Sequence, residues 1–367
     1  WTVFTNITQL FIMVPVLLGL KGNLEMNLAS RMSTAANLGD LDVPRSQRLL
    51  VWGNLALLQL QALSVSCLAG LLSVIMGLVT SGNGHAFSYH RSMLVITSAM
   101  ICAALSSALL GLCMCVLCIV CRRRGINPDN VATPIAASFG DLITLAVLAI
   151  TSHLLYPMQD TPLPTVLFVI MVCSLPAWFW LIRKNELVRD TMLDGWVPIL
   201  LAMAISSLAG LVLERYIDRY AGMAVLVPVL NGVSGNLCCV FASRISTALH
   251  ARRSENYWTI GIVLWLLNLP VQWPFLGVVY AFRLGHGSVT VGMFLLYTLA
   301  SMLLVSCRCV AALLVASHWI VLALWRRSLD PDNYALPYIT AIGDVAGTSL
   351  LVLVFFILYG SSTSTAT

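Results

Sequence analysis

Charge is what this sequence has least of. Only 10% of its 367 residues are Asp, Glu, Lys or Arg, against roughly 25% in a soluble globular domain, and that deficit excludes a soluble enzyme. Histidine is scarce as well: His85, His90, His153, His250, His286 and His318 lie mostly at the ends of apolar stretches, without ligand spacing. A dedicated zinc or copper site is therefore disfavoured. Period-two alternation is missing from the apolar runs, which excludes a transmembrane barrel, and the composition excludes disorder. The net charge of +5 suggests no nucleic-acid role. An initiator Met, a basic leader and a small-residue cleavage site are all lacking at Trp1, so the chain reads as a fragment or processed product.

Apolar residues are abundant, at 59%, and uncharged runs such as 49–84 and 163–182 reach the ~20 residues that a helix needs to cross a bilayer. The eleven cysteines are an odd number, and ten of them lie inside apolar stretches, so no disulfide framework is expected. Cys115, Cys118 and Cys121 superficially resemble an iron–sulfur run but lack its fourth ligand and Cys-Pro ending. Small packing residues are the better reading. Ten helices are predicted, at about residues 5–37, 49–80, 91–121, 128–153, 162–182, 195–213, 222–250, 257–281, 289–324 and 332–359.

The loops between these helices alternate between two sides. One side carries Arg45, Arg48, Arg122, Arg123, Arg124, Arg183, Lys184, Arg189, Arg252, Arg253, Arg326 and Arg327; the other has only Arg91, Arg215, Arg219 and Arg283. The positive-inside rule turns the first side to the cytoplasm or the mitochondrial matrix. Lys21, Arg31, Arg244 and Arg308 fall within spans. Arg31 and Arg244, near cytoplasmic helix ends, are expected to snorkel to phosphates.

Two blocks recur in the same order. Val14-Pro15-Val16-Leu17 with Gly22-Asn23, Ala29-Ser30-Arg31 and Ser33-Thr34 returns 213 residues later as Val227-Pro228-Val229-Leu230 with Gly235-Asn236, Ala242-Ser243-Arg244 and Ser246-Thr247. Pro128-Asp129-Asn130 with Pro134 and Gly140-Asp141 returns 203 residues later as Pro331-Asp332-Asn333 with Pro337 and Gly343-Asp344. Both copies of the second block follow basic loops, so the repeats are parallel. The expected architecture is an all-α polytopic membrane protein of two five-helix repeats, the first lacking its opening helix: residues 1–153, a linker with one transmembrane helix at 154–194, and residues 195–367. Such a duplication implies a pseudo-two-fold axis along the membrane normal, where transporters place substrate sites.

Only Glu25, Asp141 and Asp344 are acidic residues deep within spans. Each aspartate stands 13 residues beyond the proline that opens its helix, about 20 Å into a ~30 Å hydrocarbon layer. An ionisable group at that depth is a functional candidate by default. Asn130, Pro134, Ala137, Asp141 and Thr144 share one stripe of a helix, which Asn333, Pro337, Thr340, Asp344 and Gly347 repeat. Pro134 and Pro337 either free carbonyl ligands or simply kink the helix. Asn23, Asn27, Ser30 and Thr34 form a second polar stripe, with Gly19 and Gly22 as points of close approach. Asn236, Ser243 and Thr247 keep part of it, while Cys238 replaces Glu25 and Val240 replaces Asn27. Glu25 is either a pore carboxylate of one half or the partner of Lys21 at i, i+4. The candidate ligands Asp141, Asp344, Asn23, Asn236, Asn130, Asn333, Glu25 and Thr340 all offer oxygen, which suits a hard cation such as Mg²⁺.

Gly-Leu-Lys-Gly-Asn-Leu-Glu-Met at 19–26, the run from Asn127 to Leu142 and Ala-Ser-Arg-Ile-Ser-Thr at 242–247 are the residues through which the chain resembles a known family. They resemble solute carrier family 41, the eukaryotic relatives of the bacterial MgtE magnesium transporter. The resemblance implies Mg²⁺ transport, with Na⁺ as a candidate coupling ion, through a pore between two MgtE-like halves. Asp141 and Asp344 match the family's pore aspartate, and Gly22-Asn23 and Gly235-Asn236 its pore-helix motif. It implies no catalytic residues, no cofactor and no need for an oligomer, since two repeats supply the pseudo-dimer. The partners implied are the magnesium ion as substrate and the lipid bilayer. Plasma membrane and inner mitochondrial membrane both stay open. The cytoplasmic sensing domains of the bacterial proteins have no counterpart in this sequence. An intramembrane aspartyl protease using Asp141 and Asp344 is the alternative, weakened because Ser138 and Ala341 stand where a Gly-x-Gly-Asp motif needs glycine.

Overall fold

Uncharged runs of this length can satisfy their backbone groups in a bilayer only within helices or a closed barrel. The computed structural model describes residues 8–80, 89–194, 196–217, 223–254, 256–282 and 307–364, and among them every regular element is helical. The described residues include ten long helices: α1 (Thr8–Leu38), α2 (Pro44–Thr80), α3 (Tyr89–Arg123), α4 (Ala132–Leu155), α5 (Leu163–Arg183), α6 (Trp196–Ile217), α7 (Met223–His250), α8 (Tyr257–Phe282), α9 (Cys307–Arg326) and α10 (Pro331–Ser364). They follow the order of the ten predicted spans. The span expected at 289–324 is described only from Cys307 onward, and Arg219 and Arg283 lie outside the described residues.

Among the described residues, six stretches are long and apolar enough to cross a membrane: Pro44–Ile75, Tyr89–Arg123, Pro128–Met158, Leu163–Arg183, Cys307–Arg326 and Pro331–Ile357. The protein is an all-α, multi-pass membrane protein. At the end of α5 the Lys184 ammonium lies 3.5 Å from the Trp180 ring centre, and the Arg183 guanidinium 5.4 Å from that of Phe179. Cations laid over interfacial aromatics suit the headgroup level, on the side to which the basic loops belong.

Residues 1–200 and 201–367 form two compact units. In the first, α1 is packed by α2, α3 and α4, while α3 touches α1, α2, α4 and α5. Its main core joins Leu94, Val95, Ile96, Ala99 and Met100 of α3 to Leu63 of α2 and Leu148 of α4, and α5 covers it with Phe168, Met171 and Leu175. The helix expected as a linker therefore packs as part of the first unit. A second cluster, in which Ala56, Leu57 and Leu60 meet Ile182, Val188 and Met192, anchors the turn after α5. There Asn185 Nδ2 donates to the Leu49 carbonyl at 2.7 Å. In the second unit α7 is packed in the same way, by α8, α9 and α10. The helices matched at an offset of 213 thus play one structural role.

Two local findings differ from the sequence reading. A 3₁₀ turn at Pro128–Asn130 precedes α4, which starts only at Ala132, so Pro134 occupies the third helical position. The amide nitrogen of that position has no intrahelical acceptor, and Pro134 neither kinks the helix nor frees a carbonyl. Pro337, by contrast, lies inside the continuous helix α10. Gly22 is expected from its motif to permit close approach, yet a Cβ built there meets nothing within 4 Å among the described residues. Gly22→Ala should therefore keep or slightly raise the thermal midpoint, by the ~0.5–1 kcal/mol that alanine gains over glycine inside a helix; a lower midpoint would contradict the open space.

All eleven cysteines are free thiols, and Cys102 Sγ donates to the Thr144 carbonyl at 3.3 Å. At the end of the first unit that carries the basic loops, Arg122 binds Asp42 through both arms, Nε to Oδ1 at 3.0 Å and Nη2 to Oδ2 at 2.6 Å. The hydrogen bond from Arg122 holds the Asp42 carboxyl below the usual carboxylate range. With the folded value lowered, the contribution is complete at neutral pH and is lost only as pH falls through that lowered value. Asp42→Asn should accordingly match the wild-type thermal midpoint in strong acid and fall slightly below it at pH 7.

Candidate functional site

Because α1 is surrounded on three sides, its polar stripe is turned inward: Asn23, Asn27, Ser30 and Thr34 are all buried. Lys21 and Glu25, one turn apart, form an ion pair at 2% and 0% exposure. The pairing expected at i, i+4 is present. Only Oε1 of the carboxylate faces Lys21; Oε2 is buried without a hydrogen-bond partner among the described residues. That oxygen lies against α4 at Gly140, where a Cβ would stand 2.5 Å away. The next residue is Asp141, which is exposed. The first unit thus gathers two carboxylates and one ammonium where α1 crosses α4.

The second unit solves the same crossing differently. Ser234 and Cys238 stand where Lys21 and Glu25 stand in the first, and the Ser234 hydroxyl donates to the Leu230 and Asn231 carbonyls at 2.7 and 3.1 Å. Asp344 is half-buried, and Ser206 of α6 donates to its Oδ2 at 3.4 Å. Asn231 of α7 reaches across to α10, its Nδ2 donating to the Asp344 carbonyl at 3.3 Å and to Thr348 Oγ1 at 3.1 Å. Asn231 Oδ1 is buried and accepts no hydrogen bond among the described residues. A Cβ at Gly347 would overlap that oxygen. Gly347→Ala should therefore cost ~1–3 kcal/mol of overpacking, because the amide is pinned by its two donated bonds; an unchanged thermal midpoint would refute the contact.

Other candidates are dispersed. Asn23 is buried on α1 and Asn236 half-buried on α7. Gly235 meets α10 in ordinary contact, its added Cβ 4.0 Å from Thr340 Cγ2. The Thr340 hydroxyl donates to the Leu336 and Pro337 carbonyls of its own helix, at 3.0 and 3.1 Å. Asn130 is exposed in the 3₁₀ turn, whereas Asn333 is buried and donates to Asp330 Oδ2 at 3.0 Å. Eleven residues separate each of these asparagines from its aspartate, ~16 Å along a helix, so they stand at the starts of α4 and α10, next to the basic loops. Thr144 is buried, and the Ala137 side chain lies outside the described ones. Arg31 and Arg244 are half-buried and Arg308 is exposed.

Sequence reasoning missed Asn231 because its counterpart in the first copy is Leu18. The available signal was a carboxamide inside an apolar run, five residues before the candidate ligand Asn236. It also missed the glycine cradles, which depend on partners over a hundred residues away.

Comparison with known proteins agrees with the repeat. The family described as "MgtE: Divalent cation transporter" matches residues 14–151 and 227–354, and the two segments start 213 and end 203 residues apart, the offsets of the two motif blocks. Solute carrier family 41 member 2 of Xenopus laevis is 41% identical over 98% of this chain and 67% of its own length. The Homo sapiens member 2 is 40% identical over 98% of the chain and 66% of its length. Member 3 of Rattus norvegicus is 39% identical over 97% of the chain and 81% of its length. The chain thus spans about two thirds of the length of the member 2 relatives. Near-equal identities to members 2 and 3 assign a family and leave the member open. No solved structure matches.

Proposed function

Because the chain belongs to the MgtE family of divalent cation transporters and, within it, to solute carrier family 41, we propose that it moves Mg²⁺ across the membrane, with Asp141 and Asp344 as cation ligands. The observation that carries this reading is the buried, unpaired Oε2 of Glu25 beside Asp141. An acceptor withdrawn from water without a donor is costly, and a cation is the group that satisfies it. Asn231 Oδ1 is the corresponding acceptor in the second unit. The donors are carboxylate, amide and hydroxyl oxygens, and Mg²⁺, which dehydrates reluctantly, needs few of them at a time. Lys21 neutralises part of the first unit's negative charge while no ion is bound, and it lowers the affinity that two bare carboxylates would give. Weak, multi-site binding lets an ion leave as readily as it enters. The relatives are named as solute carriers, and nothing in the comparisons supports the aspartyl protease reading.

Purified chain in proteoliposomes loaded with a Mg²⁺ indicator tests the proposal. An inward Mg²⁺ gradient should raise internal Mg²⁺ above that of empty liposomes, and dependence on an opposing Na⁺ gradient would identify exchange. Uptake equal to that of empty liposomes under both conditions would sink the reading.

A further inference from the structure

A second cluster of ligand-type side chains lies away from the aspartates, at the cytoplasmic end of the second unit. The last residue of α7, the turn before α10 and the first turn of α10 bring His250, Asp330 and Asp332 together, one ligand atom of each lying within 4.8 Å of the others. Sequence spacing shows no ligand pattern for this histidine, because the imidazole and the carboxylates come from helices far apart in the chain.

The first repeat shows what this junction needs in order to fold. At the repeat offsets the counterparts are Asn37, Asn127 and Asp129. Asn37 Nδ2 donates to Asn127 Oδ1 at 3.1 Å and to Asp129 Oδ2 at 2.8 Å, and Ser33 donates to the other Asp129 oxygen. In both repeats the turn is closed in the same way: the side chain of residue 127 or 330 accepts from the backbone N–H two residues on, at 3.0 Å in each case. Neutral amides at two of the three positions therefore suffice for the fold. The second repeat has instead an imidazole and a further carboxylate.

The imidazole is oriented as a ligand. His250 Nδ1 lies 2.9 Å from the Ser246 carbonyl, so it carries the proton and donates it there. Nε2, the nitrogen that this bond leaves over, faces Asp330 Oδ1 at 3.7 Å. That distance is too long for a hydrogen bond and lies near the ~3.0–3.5 Å between two atoms that each stand ~2.1 Å from one ion. A backbone carbonyl on the far nitrogen is the usual support of a metal-binding histidine. The edge of Trp325, with ring centres 5.0 Å apart, holds the ring from the side.

We propose that His250, Asp330 and Asp332 bind a divalent cation of the Mn²⁺, Co²⁺ and Zn²⁺ class, and that the bound ion clamps the end of α7 to the start of α10. A nitrogen ligand with two carboxylates favours these ions over Mg²⁺. The clamp joins the two helices that carry Asn231 and Asp344, so its occupancy links the cytoplasmic level of such ions to the packing around Asp344.

The test is a Co²⁺ titration of the detergent-purified full chain, read by visible absorption. A saturable site with ligand-field bands distinct from aqueous Co²⁺ is expected. The double variant His250→Asn with Asp330→Asn, which takes the amides of the first repeat, should weaken binding at least tenfold, as should His250→Asn alone. Asp344→Asn should leave the bands unchanged, so that the result stands apart from the pore reading. Elution volume and thermal midpoint show whether the double variant is folded. An aqueous spectrum for the wild type, or unchanged bands in folded His250→Asn, would overturn the proposal.

Discussion

Gly140→Ala is expected to abolish most Mg²⁺ uptake and to lower the thermal midpoint. One methyl group would sit 2.5 Å from Glu25 Oε2, well inside van der Waals contact. Glu25 cannot swing aside freely, because its other oxygen is held by Lys21 and its side chain has no exposure. Overpacking of this kind costs ~1–3 kcal/mol, and the displaced carboxylate would also drag the charge arrangement beside Asp141 out of place. A double-mutant cycle isolates the contact. Once Lys21→Ser with Glu25→Cys has removed the carboxylate without stranding an ammonium, the added methyl meets empty space, and Gly140→Ala should then be nearly neutral for stability. A penalty that stays the same in both backgrounds would mean that the glycine serves something other than Glu25.

The second large effect belongs to Lys21. Removing one partner of a buried ion pair strands the other and costs ~3–5 kcal/mol. Lys21→Met should therefore yield little folded protein. The second unit supplies the compensating change, since Ser234 and Cys238 occupy the two matching positions on α7. Lys21→Ser combined with Glu25→Cys should recover most of the stability lost in the single variant. The same double variant separates two roles: uptake that returns with folding makes the pair structural, and a folded variant without uptake makes Glu25 part of the ion path. A stable Lys21→Met protein would contradict the burial of the pair.

The helices were legible because uncharged runs and basic loops each carry their own signal. The order of ten spans and the inward turn of Asn23, Asn27, Ser30 and Thr34 follow from that pattern. Local spacing also revealed the Lys21–Glu25 pair, since both residues lie on one helix. What spacing cannot reveal is which residue of a distant helix a side chain meets. Gly140 opposite Glu25, Gly347 opposite Asn231, and His250 opposite Asp330 are all of this kind. Pro134 departs from expectation for another reason. A motif shared by two repeats suggests a single backbone conformation, whereas the first copy enters its helix through a 3₁₀ turn and the second through a continuous helix.

The most direct measurement is Mg²⁺ uptake by proteoliposomes containing wild type, Asp141→Asn or Asp344→Asn, at equal amounts of folded protein. Asparagine keeps the shape and removes only the charge that draws the cation. Uptake should fall by at least tenfold in each variant while the thermal midpoint stays close to wild type. Uptake retained in both folded variants would contradict the assignment of these two carboxylates to the ion path.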